Sequence, residues 1–111
     1  MENTATSLCK ETYQRKLAEN LPLLRTKLSL SQADLADLIG TSRQTISLIE
    51  RGSREMMWDT CLSLTFLFMT NAETRTLLSP LGIDITQITN YLNVSAPKVI
   101  PNTERKDGEQ K

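Results

Sequence analysis

Histidine is absent from the sequence, and cysteine occurs only twice, as Cys9 and Cys61. The separation of the two cysteines fits no metal-binding or redox motif, and the lack of histidine excludes the common structural zinc sites and histidine-based catalysis. The sequence also lacks paired carboxylates in a plausible cleft and a phosphate-binding glycine loop. We therefore expect that the protein is not an enzyme and that it uses no metal and no cofactor.

Long apolar runs are absent as well. The chain opens with the polar residues MENTATSLCK, which do not resemble an apolar signal segment. The longest apolar-rich run covers residues 62–69, and it is far shorter than the roughly 20 residues that a membrane-spanning helix needs. These absences predict a cytoplasmic protein whose thiols are reduced.

Net charge and aromatic content are both low. Thirteen basic and thirteen acidic residues give a formal net charge of zero, and aromatic residues make up 5% of the chain. A neutral chain argues against a protein that binds nucleic acid through its overall charge, so any such binding must use a local basic patch. Because helix formers dominate and glycine and proline number four each, the 111 residues predict one small all-α domain with a tail.

The strongest periodic pattern lies between Gln32 and Arg51. Two short segments with one apolar face each, 32–39 and 43–51, are separated by Gly40, which suits the left-handed conformation that ends a helix. The side chains predicted to face inward are Leu35, Ala36, Leu38, Ile39, Ile46 and Ile49. Helices of about eight residues are not stable alone in water, so the pair must pack on the rest of the chain and leave a polar face of the second helix outside.

Capping residues mark the ends of these two helices. Ser31 is the predicted N-cap of the first, and Asp34 three residues later resembles a capping box. Ser42 is the predicted N-cap of the second, while Thr41 with Gln44 offers a competing start one residue earlier. Two short helices joined by a tight turn are typical of a helix-turn-helix, and polar side chains on its second helix are typical of DNA recognition.

Further helices are predicted on both sides of this pair, over residues 7–19, 21–28, 58–70, 72–79 and 85–93. We divide the chain into an N-terminal extension that can be helical (1–19), a helix-turn-helix domain (20–70), C-terminal helices that are candidates for dimerisation (71–94) and a flexible tail (95–111).

The predicted helix 58–70 is apolar on more than one face. Cys61 is predicted to be a buried thiol rather than a redox sensor. The stripe predicted to belong to the core consists of Trp58, Leu62, Phe66 and Met69. A helix that is apolar nearly all round packs on two surfaces, and in so small a domain the second surface is expected to be another subunit. The dimer interface is therefore expected on part of this helix or in the segments after it.

The segment LRTKLSLSQADLADLIGTSRQTISLIERG, residues 24–52, resembles the Cro/CI-type, lambda-repressor-like helix-turn-helix family, also called the XRE family. Small Ala36, turn residue Gly40 and the pair Ile46 and Ile49 occur together at the spacing of that family. The resemblance covers roughly residues 20 to 70. It implies an all-α, lambda-repressor-like DNA-binding domain of about five helices, followed by a short C-terminal helix and a flexible tail.

The resemblance also implies roles for individual residues. Residues that match base-contacting positions are Ser42, Arg43, Gln44, Ser47 and Leu48. Residues that match contacts to the DNA backbone are Gln32, Arg51, Ser53 and Arg54. Gln32 is also in a position to brace Gln44, and Arg25 and Glu50 match a buried structural ion pair.

One departure from the family concerns the connector after Gly52. The family often has a proline there, followed by a serine or threonine cap, whereas Met56 and Met57 occupy these positions in this chain. The start of the following helix and the placement of Arg54 are therefore not fixed by the resemblance.

In functional terms, the resemblance implies a bacterial or phage transcriptional regulator that binds double-stranded DNA in the nucleoid. Because a single neutral domain makes few contacts, we expect a homodimer that reads an inverted-repeat operator through helix 43–51 and represses transcription by occluding polymerase. Activation is an alternative outcome of the same binding. A different alternative is an antitoxin that binds a toxin as its protein partner, with the polar tail folding on that partner, and that autoregulates its operon.

Overall fold

The computed structural model describes residues 9–95, and in this part of the chain it contains seven helices and no strand. The helices are α1 (Lys10–Glu19), α2 (Leu21–Lys27), α3 (Gln32–Ile39), α4 (Arg43–Glu50), α5 (Trp58–Thr70), α6 (Ala72–Leu78) and α7 (Ile85–Leu92). The all-α prediction is therefore confirmed. The start predicted for α1, at residue 7, and the predicted flexible tail beyond residue 95 lie outside the described residues.

The chain divides into two compact units. The first, Cys9–Ile85, contains α1 to α6. Residues from Thr86 onward belong to the second unit, and Ile88 is the buried residue of α7.

The core of the first unit takes apolar side chains from all six of its helices. Its largest fully buried members are Leu17, Leu21, Leu24, Leu35, Ile46, Cys61, Leu64, Phe68, Leu78 and Ile83. Helix α3 packs on α4, and α1 packs on α2, α4 and α5. The N-terminal helix α1 is therefore part of the same core as the two short helices.

Local capping explains where the two short helices begin. The Ser31 hydroxyl accepts a hydrogen bond from the Asp34 backbone N–H at 3.0 Å, and the Asp34 carboxylate accepts one from the Ser31 N–H at 3.2 Å. This is the predicted capping box. The Ser42 hydroxyl accepts from the Thr45 N–H at 3.1 Å, so α4 starts at Arg43 and the competing start at Thr41 is not used.

The turn after α2 contains a strained serine. The backbone of Ser29 has a φ of 58°, the left-handed conformation in which glycine is favoured. The Leu30 N–H donates to the Arg25 carbonyl at 3.2 Å and the Ser29 N–H donates to the Thr26 carbonyl at 2.9 Å. These two bonds form a Schellman motif, whose left-handed position is usually glycine.

We expect Ser29→Gly to raise the free energy of unfolding by about 0.5–1 kcal/mol, because glycine removes the Cβ strain and part of that gain is lost to the greater entropy of the unfolded chain. Urea unfolding measures the change. Ser53→Gly is a matched control, since Ser53 is exposed, also follows the end of a helix and has no positive φ. A variant at position 29 that is no more stable than the control contradicts the strain at that position.

Two sequence-based predictions of buried residues are wrong. Leu38 is 61% exposed, because it lies about 200° around α3 from buried Ala36. On α5 the buried face consists of Cys61, Leu64, Thr65 and Phe68. In the predicted core stripe Phe66 is 72% exposed, and Trp58, Leu62 and Met69 are only partly buried. Phe66 and Phe68 point to opposite sides of the helix, and only one of these sides faces the core of the first unit.

The two thiols lie in opposite environments. Cys61 is fully buried, and burial raises the pKa of its thiol to about 12. Cys9 is exposed, and a hydrogen bond from Thr12 lowers the pKa of its thiol. Since the thiolate is the reactive form, a raised pKa leaves almost no reactive Cys61 at pH 8.

We therefore expect a chromogenic thiol reagent at pH 8 to modify one cysteine per chain in the native protein and two after unfolding in guanidinium. The variant Cys9→Ser is expected to show no reaction until it unfolds. Two thiols that react at similar rates in the native protein would contradict the burial of Cys61.

Candidate nucleic-acid interface

Helix α4 has one buried face and one outward face. Ile46 and Ile49 are buried at 0% and 2% exposure and attach the helix to the core. The residues predicted to contact bases lie on the outward side or at the N-cap: Ser42, Arg43 and Gln44 are exposed, and Ser47 and Leu48 are partly exposed. At helical spacing, positions 43, 44, 47 and 48 form one continuous surface. The structure thus brings the five predicted residues together.

A bidentate ion pair joins α2 to the C-terminal end of α4. Arg25 Nε donates to Glu50 Oε2 at 2.8 Å and Arg25 Nη2 donates to Glu50 Oε1 at 3.2 Å. The third donor of Arg25, Nη1, binds the Leu30 carbonyl at 2.8 Å. Both side chains are largely shielded from solvent, with exposures of 18% and 8%. The two residues predicted to form a structural ion pair are therefore in direct contact.

Gln32 extends this ion pair to the outward face of α4. Its Nε2 donates to Glu50 Oε1 at 2.9 Å, and its Oε1 accepts from Arg43 Nη1 at 3.3 Å. The chemistry of the partners fixes the orientation of the amide, because a carboxylate requires the NH₂ group and a guanidinium requires the oxygen. Gln32 thus braces Arg43 and not Gln44, which differs from the sequence-based expectation.

The loop that follows α4 carries the basic residues predicted to contact the DNA backbone. Gly52 has a φ of 76°. Its N–H donates to the Ile49 carbonyl at 3.0 Å, and the Ser53 N–H donates to the Leu48 carbonyl at 2.9 Å. This Schellman motif ends α4 and directs Arg51, Ser53 and Arg54 to the surface, where all three are exposed.

Thr45 links two of the predicted DNA-contacting residues, and sequence reasoning did not identify this role. Its hydroxyl lies 2.9 Å from the Ser42 hydroxyl and accepts from Arg54 Nη1 at 3.3 Å. Arg54 is therefore placed beside the N-terminal turn of α4, close to Ser42. A threonine three residues after a serine N-cap was the available signal, but its link to Arg54 depends on the path of the loop.

The connector after Gly52, which departs from the family pattern, is held by Met56 and not by a helix cap. Helix α5 begins at Trp58 with Met57 as its N-cap, and no side chain caps it. Met56 is buried at 4% exposure. Its carbonyl accepts a hydrogen bond from Gln14 Nε2 of α1 at 2.8 Å.

A groove of about 550 Å³ separates α1 from this loop. Charged residues of both signs line it: Glu11, Arg15, Glu19, Glu50, Arg51, Arg54 and Glu55.

Within the described residues, no group of three or more cysteine, aspartate or glutamate side chains is arranged to hold a metal ion. No helix in this same part of the chain is long and apolar enough to cross a membrane.

Comparison with known proteins identifies the motif. A protein-family model described as helix-turn-helix matches residues 23–56, from α2 through α4 to the end of the connecting loop. Comparisons with curated proteins and with solved structures gave no significant match. The matched segment contains both α3 and α4. Residues 23–56 are therefore a helix-turn-helix segment of the Cro/CI type (XRE), which supports a role in DNA binding and transcription regulation.

Proposed function

We propose that the protein is a repressor that binds an inverted-repeat operator as a homodimer, with α4 in the major groove of each half-site. The observation that supports this proposal is the outward face of α4, where Arg43 and Gln44 are exposed beside a buried hydrogen-bonded support. Bound across a promoter, such a dimer prevents polymerase from reaching it.

Each outward residue of α4 has a distinct base-reading chemistry. The guanidinium of Arg43 suits guanine O6 and N7, and the amide of Gln44 suits adenine N6 and N7. Ser42 and Ser47 supply hydroxyls that accept or donate. Leu48 supplies an apolar surface for a thymine methyl group.

The residues around α4 are assigned to the DNA backbone. Arg51, Ser53 and Arg54 contact phosphates from the exposed loop and set the register of α4 in the groove. The side chain of Gln32 is already bonded to Glu50 and Arg43, so its main contribution is to hold Arg43. A phosphate contact at this position falls to the backbone amides at the start of α3.

We assign the dimer interface to the exposed face of α5. Phe66 is 72% exposed, and the partly exposed Leu62 lies one helical turn before it on the same side of α5. A two-fold interface presents the same patch on both subunits, so an apolar helix face can pair with itself. The zero net charge of the chain favours pairing, since one neutral domain attracts DNA weakly and two copies double the number of contacts.

We expect Phe66→Gln to shift the protein from dimer to monomer in analytical ultracentrifugation at micromolar concentration. Its affinity for a duplex with two half-sites is expected to fall to that for a single half-site. Leu38→Gln is the matched control, because Leu38 is also largely exposed but lies on α3.

A Phe66→Gln protein that remains dimeric would place the interface elsewhere. A native protein that is monomeric at all concentrations would contradict the homodimer, whereas co-purification of a stoichiometric small protein would favour the antitoxin alternative.

Selection from a pool of random duplexes tests the proposed operator. We expect the enriched sequences to be inverted repeats whose half-site centres lie roughly 34–36 Å apart, one helical turn of DNA. Enrichment of a single unpaired site, or no enrichment, would contradict the proposal.

A further inference from the structure

We propose that Gln14 of α1 is a positioning residue for DNA binding, because it fixes the loop that carries Arg51, Ser53 and Arg54. The inference rests on the proposed function of that loop as the contact to the DNA backbone. It assigns a role in DNA binding to a helix that lies outside the matched helix-turn-helix segment.

The bond at the centre of this inference joins residues that are 42 positions apart in the chain. Gln14 Nε2 donates to the Met56 carbonyl at 2.8 Å in a partly buried setting. The carbonyl can only accept, so the amide must present its nitrogen. A shielded carbonyl that loses its donor must bind water or change its position. The bond from Gln14 therefore helps to fix the backbone of Met56.

The loop has two fixed ends and an exposed middle. At its N-terminal end the Schellman motif ties Gly52 and Ser53 to the last turn of α4. At its C-terminal end Met56 is held by its buried side chain and by Gln14. All three residues assigned to phosphates are exposed. Arg51 and Ser53 are fixed by the end of α4, whereas Arg54 lies between the two anchors and its placement depends on both.

Helix α1 is rigid enough to act as an anchor. Tyr13 and Leu17 are buried in the core at 4% and 0% exposure. The Tyr13 hydroxyl also lies 3.0 Å from the Thr65 hydroxyl of α5 in a buried hydrogen bond. Because the buried side chains of Tyr13 and Leu17 hold α1 in the core, the bond from Gln14 ties the loop to a fixed part of the domain.

Loss of the Gln14 bond is expected to change DNA affinity and its salt dependence in a particular way. Loss of the Gln14 bond loosens contacts to phosphates and leaves the α4 surface unchanged, so the affinity falls equally on preferred and scrambled duplexes. The dependence of affinity on salt becomes weaker at the same time, since fewer phosphates are neutralised on average.

The test uses the full chain with Gln14→Met, which keeps the length, the helix propensity and the charge of the side chain but removes the donor. The control is Tyr13→Phe, which removes the hydrogen bond between the Tyr13 and Thr65 hydroxyls without touching the loop. Affinities are measured by fluorescence anisotropy on a preferred and a scrambled duplex over a salt series, at a temperature where urea unfolding shows every variant to be folded.

For Gln14→Met we expect a roughly three- to tenfold loss of affinity on both duplexes, the loss that one hydrogen bond can account for, together with a shallower salt slope. For Tyr13→Phe we expect native affinity and slope. Native affinity in Gln14→Met, a loss confined to the preferred duplex, or an equal loss in Tyr13→Phe would each overturn the proposal. Failure of the native protein to bind either duplex would instead refute the proposed function, so the two failures are distinguishable.

Discussion

Arg25→Met is expected to lower the free energy of unfolding by about 3–5 kcal/mol, because it leaves the Glu50 carboxylate buried without its cation. Glu50 is only 8% exposed and accepts two hydrogen bonds from Arg25. Gln32 still donates to it, but a neutral amide does not replace the lost charge. Since small domains are stable by only about 5–15 kcal/mol, this is the largest single destabilisation that we expect. Urea unfolding at neutral pH measures it.

The double variant Arg25→Met, Glu50→Met is the control for this prediction. It removes both charges, so it is expected to recover much of the stability that Arg25→Met alone loses. If the two single changes and the double change prove additive, the ion pair is not a coupled unit and this part of the account is wrong.

Arg43→Ala and Gln44→Ala are expected to produce the largest loss of sequence discrimination. Each bidentate contact to a base is worth about 1–3 kcal/mol, which corresponds to a loss of roughly 5- to 150-fold on the preferred duplex and a much smaller loss on a scrambled one. Arg54→Ala is expected to weaken binding to all duplexes alike and to reduce the salt slope by about one phosphate contact. Anisotropy titrations with single-base-pair variants of the preferred duplex show which position each variant no longer reads.

Arg75→Ala provides the matched control for these arginine changes. Arg75 is exposed on α6 and bonds the Met69 carbonyl of α5, and it lies outside the matched helix-turn-helix segment. Its removal changes the net charge by the same amount as Arg43→Ala and is expected to leave affinity within about twofold, since screening limits distant charges. Equal losses on preferred and scrambled duplexes for Arg43→Ala and Gln44→Ala would contradict their assignment to bases.

The parts of the fold that the sequence predicted well depend on local signals. The bounds of α3 and the start of α4 follow from residues within one turn of these ends, such as the Ser31–Asp34 capping box, the left-handed Gly40 and the Ser42 N-cap. The family resemblance of residues 24–52 identified the same helix pair that the family model matches. Caps and turns act over a few residues, so they can be read without knowledge of the tertiary structure.

The parts that sequence reasoning missed depend on contacts between distant residues. Phe66 and Leu38 have apolar side chains at helical spacing, yet which side of a helix meets the core depends on its neighbours. The bond between Gln14 and Met56, and that between Arg54 and Thr45, arise from the path of one irregular loop. Gln32 was expected to brace Gln44, but the position of Glu50 directs its oxygen towards Arg43.

These missed contacts also bear on how a neutral chain can bind DNA through the proposed surface. Along α4 and its loop, Arg43 and Arg54 are each held by a hydrogen bond to a neighbouring side chain. Holding a long side chain in place before binding lowers the entropy cost of ordering it on DNA. The fixed positions of Arg43 and Arg54 therefore compensate in part for the low net charge of the chain.

The central claim is that the protein binds a specific duplex through a small set of phosphate and base contacts. A titration of the native protein against its preferred duplex and a scrambled duplex, repeated from low to high salt, tests this claim most directly. We expect tighter binding to the preferred duplex at every salt concentration, and log affinity that falls linearly with log salt at about 0.9 per phosphate contact. No binding at low salt, or equal affinity for the two duplexes throughout, would contradict the account.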